Sequence, residues 1–362
     1  MMNIFTDKYF TITKQVASNM GMNPIVSYRI FIRCDGMAAL KPFKILLNEL
    51  IDDENVIIKT LPEGFFFRSG DTVATIEGPF QSLVEFESMW LWYVALPCYC
   101  ALEAKKIVEE AGGRSLLAFE NRHNFGAEAT ALTSYGASVG GIDKSSCDVG
   151  ANALKYIKRC AMEYKDMIKH GPVGVKPWPN QGIGTTPHAL FAIFKGNYKE
   201  ACHALLCSFP DQKEFMILND YNNREIDDSL VALEVLGENL FAVRSDTCGE
   251  NSPQMCQGKA ADPQGIKGVH PGGLIALRKA LNANNGEKVK ICGTSGFDFA
   301  KTKTFVNFAP EAIDIIGTGS FIPKWPTATA DIFKVDGNLE TKAGREWGYE
   351  ANLKFNSILA NF

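Results

Sequence analysis

The chain has 362 residues, enough for two domains or one elaborated barrel, and with 46% hydrophobic and 22% charged residues it reads as a water-soluble protein with a large core. A formal net charge of −4 excludes the basic bias that a nucleic-acid or anionic-membrane partner would select. The start, MMNIFTDKYF, has no basic segment leading into an apolar one, and the most apolar stretch, Met89 to Leu102, is interrupted by Pro97 and falls short of the roughly 18 residues of a membrane span. A cytoplasmic protein without a membrane partner is therefore expected. The ten cysteines form no Cys-x-x-Cys pair or Cys/His cluster, which favours reduced, buried thiols over zinc.

In chain order, Thr6 to Met20 has the spacing of a helix, Ile25 to Arg33 is β-branched and aromatic like a strand, and Pro42 to Asp52 places leucines on one helical face. Phe65 to Pro79 carries a Ser69-Gly70-Asp71 turn between β-rich runs. Ser82 and Glu85 have the spacing of a capping box at the start of a long apolar helix ending near Gly112-Gly113, with Pro97 expected to kink or split it.

From Arg114 short apolar runs alternate with helical patterns. Strands are expected at Ser115–Phe119, Gly136–Ile142, before Gly184, and at Glu214–Asn219, Leu240–Arg244, Val289–Gly293 and Ile313–Ile316. Helices are expected at Phe125–Tyr135, Val149–Ile168, His188–Cys207, Asp227–Leu236, Gly273–Leu281 and Asp298–Asn307. Repeated β-then-α order predicts a parallel α/β barrel or a doubly wound sheet, and polar strand ends favour the barrel. After Pro323 a strand at Asp331–Val335 and a turn at Asp336-Gly337-Asn338 are expected to pack back on the N-terminal part. The expected division is a mixed α/β domain over 1–113, an α/β barrel over 114–322 and a returning tail over 323–362.

The chemistry gathers at strand ends. Leu240 to Val243 is an apolar run that stops at Arg244-Ser245-Asp246, a cation and a carboxylate at the rim where parallel barrels place their reactive groups. Asp220 ends the preceding strand, giving a second hard oxygen donor suited to Mg²⁺ or sugar hydroxyls. Gly293-Thr294-Ser295-Gly296 and Gly317-Thr318-Gly319-Ser320 are two glycine-rich turns on consecutive late strands, a common phosphate cradle. Gly184-Thr185-Thr186-Pro187-His188 puts an imidazole at a helix start, and Phe119-x-x-Arg122 offers an aromatic face beside a cation. Each fragment alone fits helix capping or a solvated strand end.

Taken in order with Thr6-Asp7-Lys8-Tyr9 and Ser295-Gly296-Phe297-Asp298, these motifs resemble the nicotinate phosphoribosyltransferase family, in its archaeal-type branch, over nearly the whole chain. The resemblance implies a type II phosphoribosyltransferase fold: an irregular parallel α/β barrel plus a mixed α/β domain built from both chain ends. It implies a homodimer with a shared active site that joins nicotinate to 5-phosphoribosyl-1-pyrophosphate in NAD salvage. Tyr9 would reach a neighbouring subunit's site and stack on the pyridine ring, with Phe119 on the other face. Arg122 and Arg244 would hold the carboxylate and ring, and Asp220 and Asp246 the ribose hydroxyls and the Mg²⁺-pyrophosphate group. Ser295, Gly296, Gly317, Thr318 and Gly319 would hold the 5-phosphate, and Thr185 would line the site. His188 matches the histidine that family members phosphorylate from ATP, which admits ATP as a co-substrate. Ser146 stands where nicotinamide-using relatives carry an Asp, and so favours a carboxylate substrate. Quinolinate or nicotinamide as the base, and a catalytically inactive phosphoribosyl-binding homologue, remain the alternatives.

Overall fold

A computed structural model of the chain describes residues 3, 5–111, 116–142, 144–170, 184–256, 266–318 and 325–361. Helix α1 (Lys8–Asn19) leads into strand β1 (Ile25–Ile32), β2 (Gly36–Met37), α2 (Lys41–Leu50), β3 (Ile57–Thr60), β4 (Phe66–Phe67) and β5 (Thr72–Pro79). A short α3 (Phe80–Leu83) and a 3₁₀ turn precede α4 (Glu87–Glu110), followed by α5 (Ala127–Val139), α6 (Asp148–Ala151) and α7 (Ala153–His170). Then come α8 (His188–Ile193), α9 (Tyr198–Ser208), β6 (Phe215–Leu218), α10 (Glu225–Leu236), β7 (Leu240–Ser245), α11 (Pro271–Asn282), β8 (Lys290–Gly293), α12 (Phe299–Phe308) and β9 (Ile315–Ile316). The chain closes with β10 (Ala328–Val335), β11 (Asn338–Leu339) and α13 (Gly348–Leu359).

Two sheets organise these elements. A five-stranded antiparallel sheet has the order β11-β10-β1-β5-β3, so the two ends of the chain share it. Strand β1 lies between β5 and β10 and is buried beyond its first residue, as its alternating large side chains require. Tyr28 packs edge-on against Trp90 of α4, while Phe31 on the opposite face meets Trp347 beside α13. Asp336 and Gly337, at φ 48° and 77°, make the β10–β11 hairpin turn. The second sheet is parallel, β6-β7-β8-β9, with α10, α11 and α12 as its crossovers.

Several sequence expectations change. Gly136–Ile142 is not a strand: α5 runs through Gly136 to Val139, because glycines let it lie close against α4. A Cβ on Gly136 would stand 2.3 Å from the Pro97 carbonyl oxygen, and one on Gly140 would stand 2.4 Å from that of Ala101. Pro97 does not split α4, which is assigned unbroken from Glu87 to Glu110. Ser82 caps nothing; its hydroxyl donates to Asp53 Oδ2 at 2.6 Å. The expected helix His188–Cys207 is two, separated where Lys195 and Gly196 adopt φ 51° and 73°. Of the expected strand Ser115–Phe119 the described part makes a single parallel bridge, Ala118 with Ser145, and the run before Gly184 lies outside the described residues. Among the described residues no helix is long and apolar enough to cross a membrane.

Candidate active site

The parallel sheet delivers polar residues to one edge. Its register pairs Leu218 with Arg244, Ser245 with Gly293 and Gly293 with Ile316, so β6, β7, β8 and β9 end together. Asp220, Asp246, the 294–296 turn and Gly317-Thr318 all follow those ends. The Thr294 amide donates to the Ser245 carbonyl at 2.9 Å, and the Thr294 hydroxyl donates to Asp246 Oδ1 at 2.8 Å. Ser295 and Gly296 both take the left-handed conformation, at φ 73° and 70°, and Lys301 Nζ donates to the Ser295 carbonyl at 2.7 Å. A Cβ on Gly317 would meet Thr294 Cγ2 at 2.6 Å, so the two glycine turns approach each other only because that position is glycine.

Above this edge lies a cavity of about 170 Å³ whose lining includes Tyr9, His188, Arg244, Asp246, Asp331 and Lys342. Its centre is an ionic chain. Lys342 Nζ is 2.6 Å from Asp220 Oδ2 and donates to the Asp246 carbonyl oxygen at 3.3 Å. His188 Nε2 is 3.4 Å from both Asp220 oxygens. Burial alone would raise the Asp220 carboxyl, but Lys342 and then His188 outweigh it and hold it well below the usual carboxylate range. Burial also works against charge on Lys342, and Asp220 and Asp246 reverse that, holding its ammonium above the ordinary lysine value. His188 is pushed below the ordinary imidazole value by burial and by Lys342, with Asp220 opposing both, so it is neutral at pH 7. Arg244 donates through Nη2 to the Thr186 carbonyl at 3.4 Å, and its guanidinium carbon lies 6.0 Å from the centre of the Tyr9 ring. Arg244 Nε and Asp220 Oδ1 are buried with no hydrogen-bond partner.

Asp220, Arg244, Asp246 and His188 are thus brought together, with Ser295, Gly296, Gly317 and Thr318 in turns that leave the same sheet edge. Thr185 braces the site from behind, its hydroxyl donating to the Met216 carbonyl at 3.1 Å, and the Thr318 hydroxyl donates to the Phe297 carbonyl. Tyr9, expected to reach a neighbouring subunit, faces Arg244 of its own chain. Phe119, 68% exposed, and Ser146 do not line this cavity; they flank the separate Ala118–Ser145 bridge. The Arg122 side chain and Gly319 lie outside the described residues. Sequence reasoning missed Lys342, Asp331, Tyr28 and Glu87, all of which line the cavity. Lys342 sits in a loop with no periodic signal, fixed by the Ala343 amide donating to the Tyr221 carbonyl at 2.9 Å and Asn251 Nδ2 donating to the Ala343 carbonyl at 2.8 Å. Among the described residues no group of three or more His, Cys, Asp or Glu could cage a metal.

No family model and no curated protein matches the chain. Solved structures do match. A Saccharomyces cerevisiae protein provisionally described as a nicotinate phosphoribosyltransferase is 13% identical, with 99% of this chain and 97% of that one covered at a TM-score of 0.51. A nicotinate phosphoribosyltransferase from Porphyromonas gingivalis is 12% identical, covering 99% of each chain at 0.46. A nicotinate-nucleotide pyrophosphorylase from Pyrococcus furiosus is 24% identical, covering 94% of this chain and 77% of that one at 0.42. The yeast superposition shows a shared mixed α/β fold.

Proposed function

We propose that this chain is a nicotinate phosphoribosyltransferase, joining nicotinate to 5-phosphoribosyl-1-pyrophosphate to give nicotinate mononucleotide and pyrophosphate. One observation carries the reading: Asp220, Arg244, Asp246 and both glycine turns leave a single edge of the parallel sheet, beneath a cavity closed by His188, Lys342 and Tyr9. In this reading the parallel strands belong to an irregular barrel, and the enzyme works in the cytoplasm as a homodimer. A second copy would cover exposed aromatics such as Phe119 and Trp92 and complete the site.

Breaking the bond between the anomeric carbon and pyrophosphate builds positive charge on the ribose and negative charge on the leaving group. Asp220 and Asp246 face the first, and Arg244 and Lys342 supply cations for the second. The 294–296 and 317–318 turns offer backbone and hydroxyl donors to the 5-phosphate, while Tyr9 gives the heterocycle a flat face. The ring nitrogen of nicotinate is already a nucleophile, so positioning dominates over proton abstraction. Mg²⁺ fits as a partner of the pyrophosphate rather than as a caged ion: Asp220 Oδ1 is buried and accepts no hydrogen bond, Asp246 adds a second hard oxygen, and a third protein ligand is lacking among the described residues. When bound, the ion neutralises leaving-group charge. Neutral His188, oriented by Asp220, is the group through which ATP would couple.

The test is a product assay with Mg²⁺ and phosphoribosyl pyrophosphate, run with and without ATP, on nicotinate, nicotinamide and quinolinate separately. Nicotinate is expected to be consumed first, and Asp246→Asn is expected to lower turnover on the order of 10²- to 10³-fold with the fold intact. Binding of phosphoribosyl pyrophosphate without turnover of any base would instead mark an inactive homologue.

A further inference from the structure

Asp220 and Asp246 can act together only if the loops that carry them keep a fixed separation, and one buried side chain fastens both. Glu225, the first residue of α10, is 6% exposed. Its Oε1 accepts from the Thr247 hydroxyl at 2.6 Å and its Oε2 from the Gln254 amide at 2.9 Å, so one carboxylate holds both ends of the 247–254 segment that follows Asp246. Gln254 returns the contact. Its Oε1 accepts from the Ile226 and Asp227 amides at 2.8 and 3.3 Å, satisfying the start of a helix whose own N-cap, Arg224, makes no side-chain cap bond. The exchange has the logic of a capping box, with its second half 29 residues away.

The same residue reaches Asp220 through its backbone. The Glu225 carbonyl accepts from the Ser229 hydroxyl at 2.6 Å, and that hydroxyl accepts from Asn219 Nδ2 at 2.9 Å. Asn219 is fully buried, precedes Asp220, and its amide donates to the Arg244 carbonyl at 3.0 Å. Three site residues therefore depend on one short chain of bonds: Asp220 beside Asn219, Asp246 beside Thr247, and Arg244 through its carbonyl. The chain itself stays clear of the active-site cavity. Glu225, Thr247 and Gln254 line a separate void of about 10 Å³, and none of them lines the cavity that holds Asp246 and Lys342. Whatever Glu225 does for the reaction, it does through the loops it holds.

We propose that Glu225 is a positioning residue, a clamp that fixes Asp246 relative to Asp220 for the ribose and Mg²⁺-pyrophosphate end of the substrate. The proposal rests on the phosphoribosyl-transfer reading above and adds what keeps its two carboxylates in register. The base lies elsewhere, against Tyr9 of α1, which no bond of the clamp reaches. Loosening the clamp therefore weakens the hold on phosphoribosyl pyrophosphate and spares the hold on nicotinate. A misplacement of about 1 Å is enough to cost on the order of 10²-fold in rate.

The experiment compares the wild type with Glu225→Ala, Glu225→Gln, Thr247→Val and Thr247→Ser. It reads the Kd of phosphoribosyl pyrophosphate with Mg²⁺ by calorimetry, kcat and KM for both substrates, and the melting temperature. Glu225→Ala and Thr247→Val are expected to weaken that Kd about 10-fold and to lower kcat/KM for phosphoribosyl pyrophosphate about 10- to 100-fold, with KM for nicotinate within about twofold. Glu225→Gln can still accept from the Gln254 amide and donate to the Thr247 oxygen, and Thr247→Ser keeps the hydroxyl, so both are expected within about threefold of the wild type. Glu225→Ala combined with Thr247→Val is expected to lose no more than the worse single change, because both break one link. A fold merely weakened would lower the melting temperature and the active fraction while moving neither Kd nor KM. Unchanged constants for phosphoribosyl pyrophosphate in Glu225→Ala and Thr247→Val, or an equal loss in Glu225→Gln and Thr247→Ser, overturns the clamp and leaves the proposed activity standing. A wild type that binds phosphoribosyl pyrophosphate but turns over no base overturns the activity, and the Kd series still decides the clamp. A wild type that does not bind it overturns both.

Discussion

Lys342 and Asp220 show how much of the site depends on one buried pair. Both are almost fully enclosed, 2.6 Å apart, and each holds the other charged against burial. Lys342→Met is expected to destabilise the fold by about 3–5 kcal/mol in urea titration, because a buried carboxylate then lacks its counter-charge. The pH dependence changes with it. In the wild type Asp220 is depressed, so its contribution is present above the unfolded value of about 3.9 and is lost as pH falls through the lower folded value. In the variant the largest cause that lowers Asp220 is gone and His188 alone opposes burial, so this acid-side contribution shrinks. Urea midpoints of the wild type should therefore fall more steeply in acid than those of the variant, and parallel curves would show that Asp220 is not set by Lys342. Asp220, Arg244 and Asp246 were legible in the sequence because apolar runs end abruptly in them. Lys342 was not, since its partner Asp246 is 96 positions away and its own segment carries neither periodicity nor a motif.

Helices α4 and α5 make the same point about elements. Gly-Ala-Ser-Val-Gly-Gly looks poor in helix formers, and Pro97 looks like a break, yet the glycines face the Pro97 and Ala101 carbonyls and the pair closes on itself. Close packing between neighbours outweighs local propensity here. Gly136→Ala or Gly140→Ala is expected to cost about 1–3 kcal/mol through forced separation of the helices. Gly249→Ala, with nothing within 4 Å of its would-be Cβ, is expected to change stability by about 0.5 kcal/mol or less. Equal thermal shifts in all three would remove the close-approach explanation. Helices with strong amphipathic spacing, such as α2 and α7, were readable in advance, because there the pattern alone decides which face is buried.

At the scale of the whole molecule, alternation of strand and helix announced the parallel sheet, whereas its extent was less legible: among the described residues four parallel strands pair. Short runs of two residues such as β9 carry almost no pattern, and their pairing is decided by neighbours distant in sequence. The antiparallel sheet depends on a late-made member. Strand β10 pairs with β1 across seven register positions, and α13 and Lys342 follow it. A chain ended after residue 324 would leave one edge of β1 bare and Asp220 without Lys342, and is expected to aggregate on expression, as sedimentation of the lysate would reveal. A soluble, cooperatively melting fragment would show that β10 is dispensable.

The union of β1 with β10 also imposes a timetable. A ribosome delivers Tyr9 and β1 some three hundred residues before Lys342, so no nascent intermediate short of that residue can assemble the pocket. Throughout elongation β1 shows an unmatched border to the cell, a period in which chaperone cover or rapid synthesis decides the yield. The pocket is complete only once residue 342 has been added.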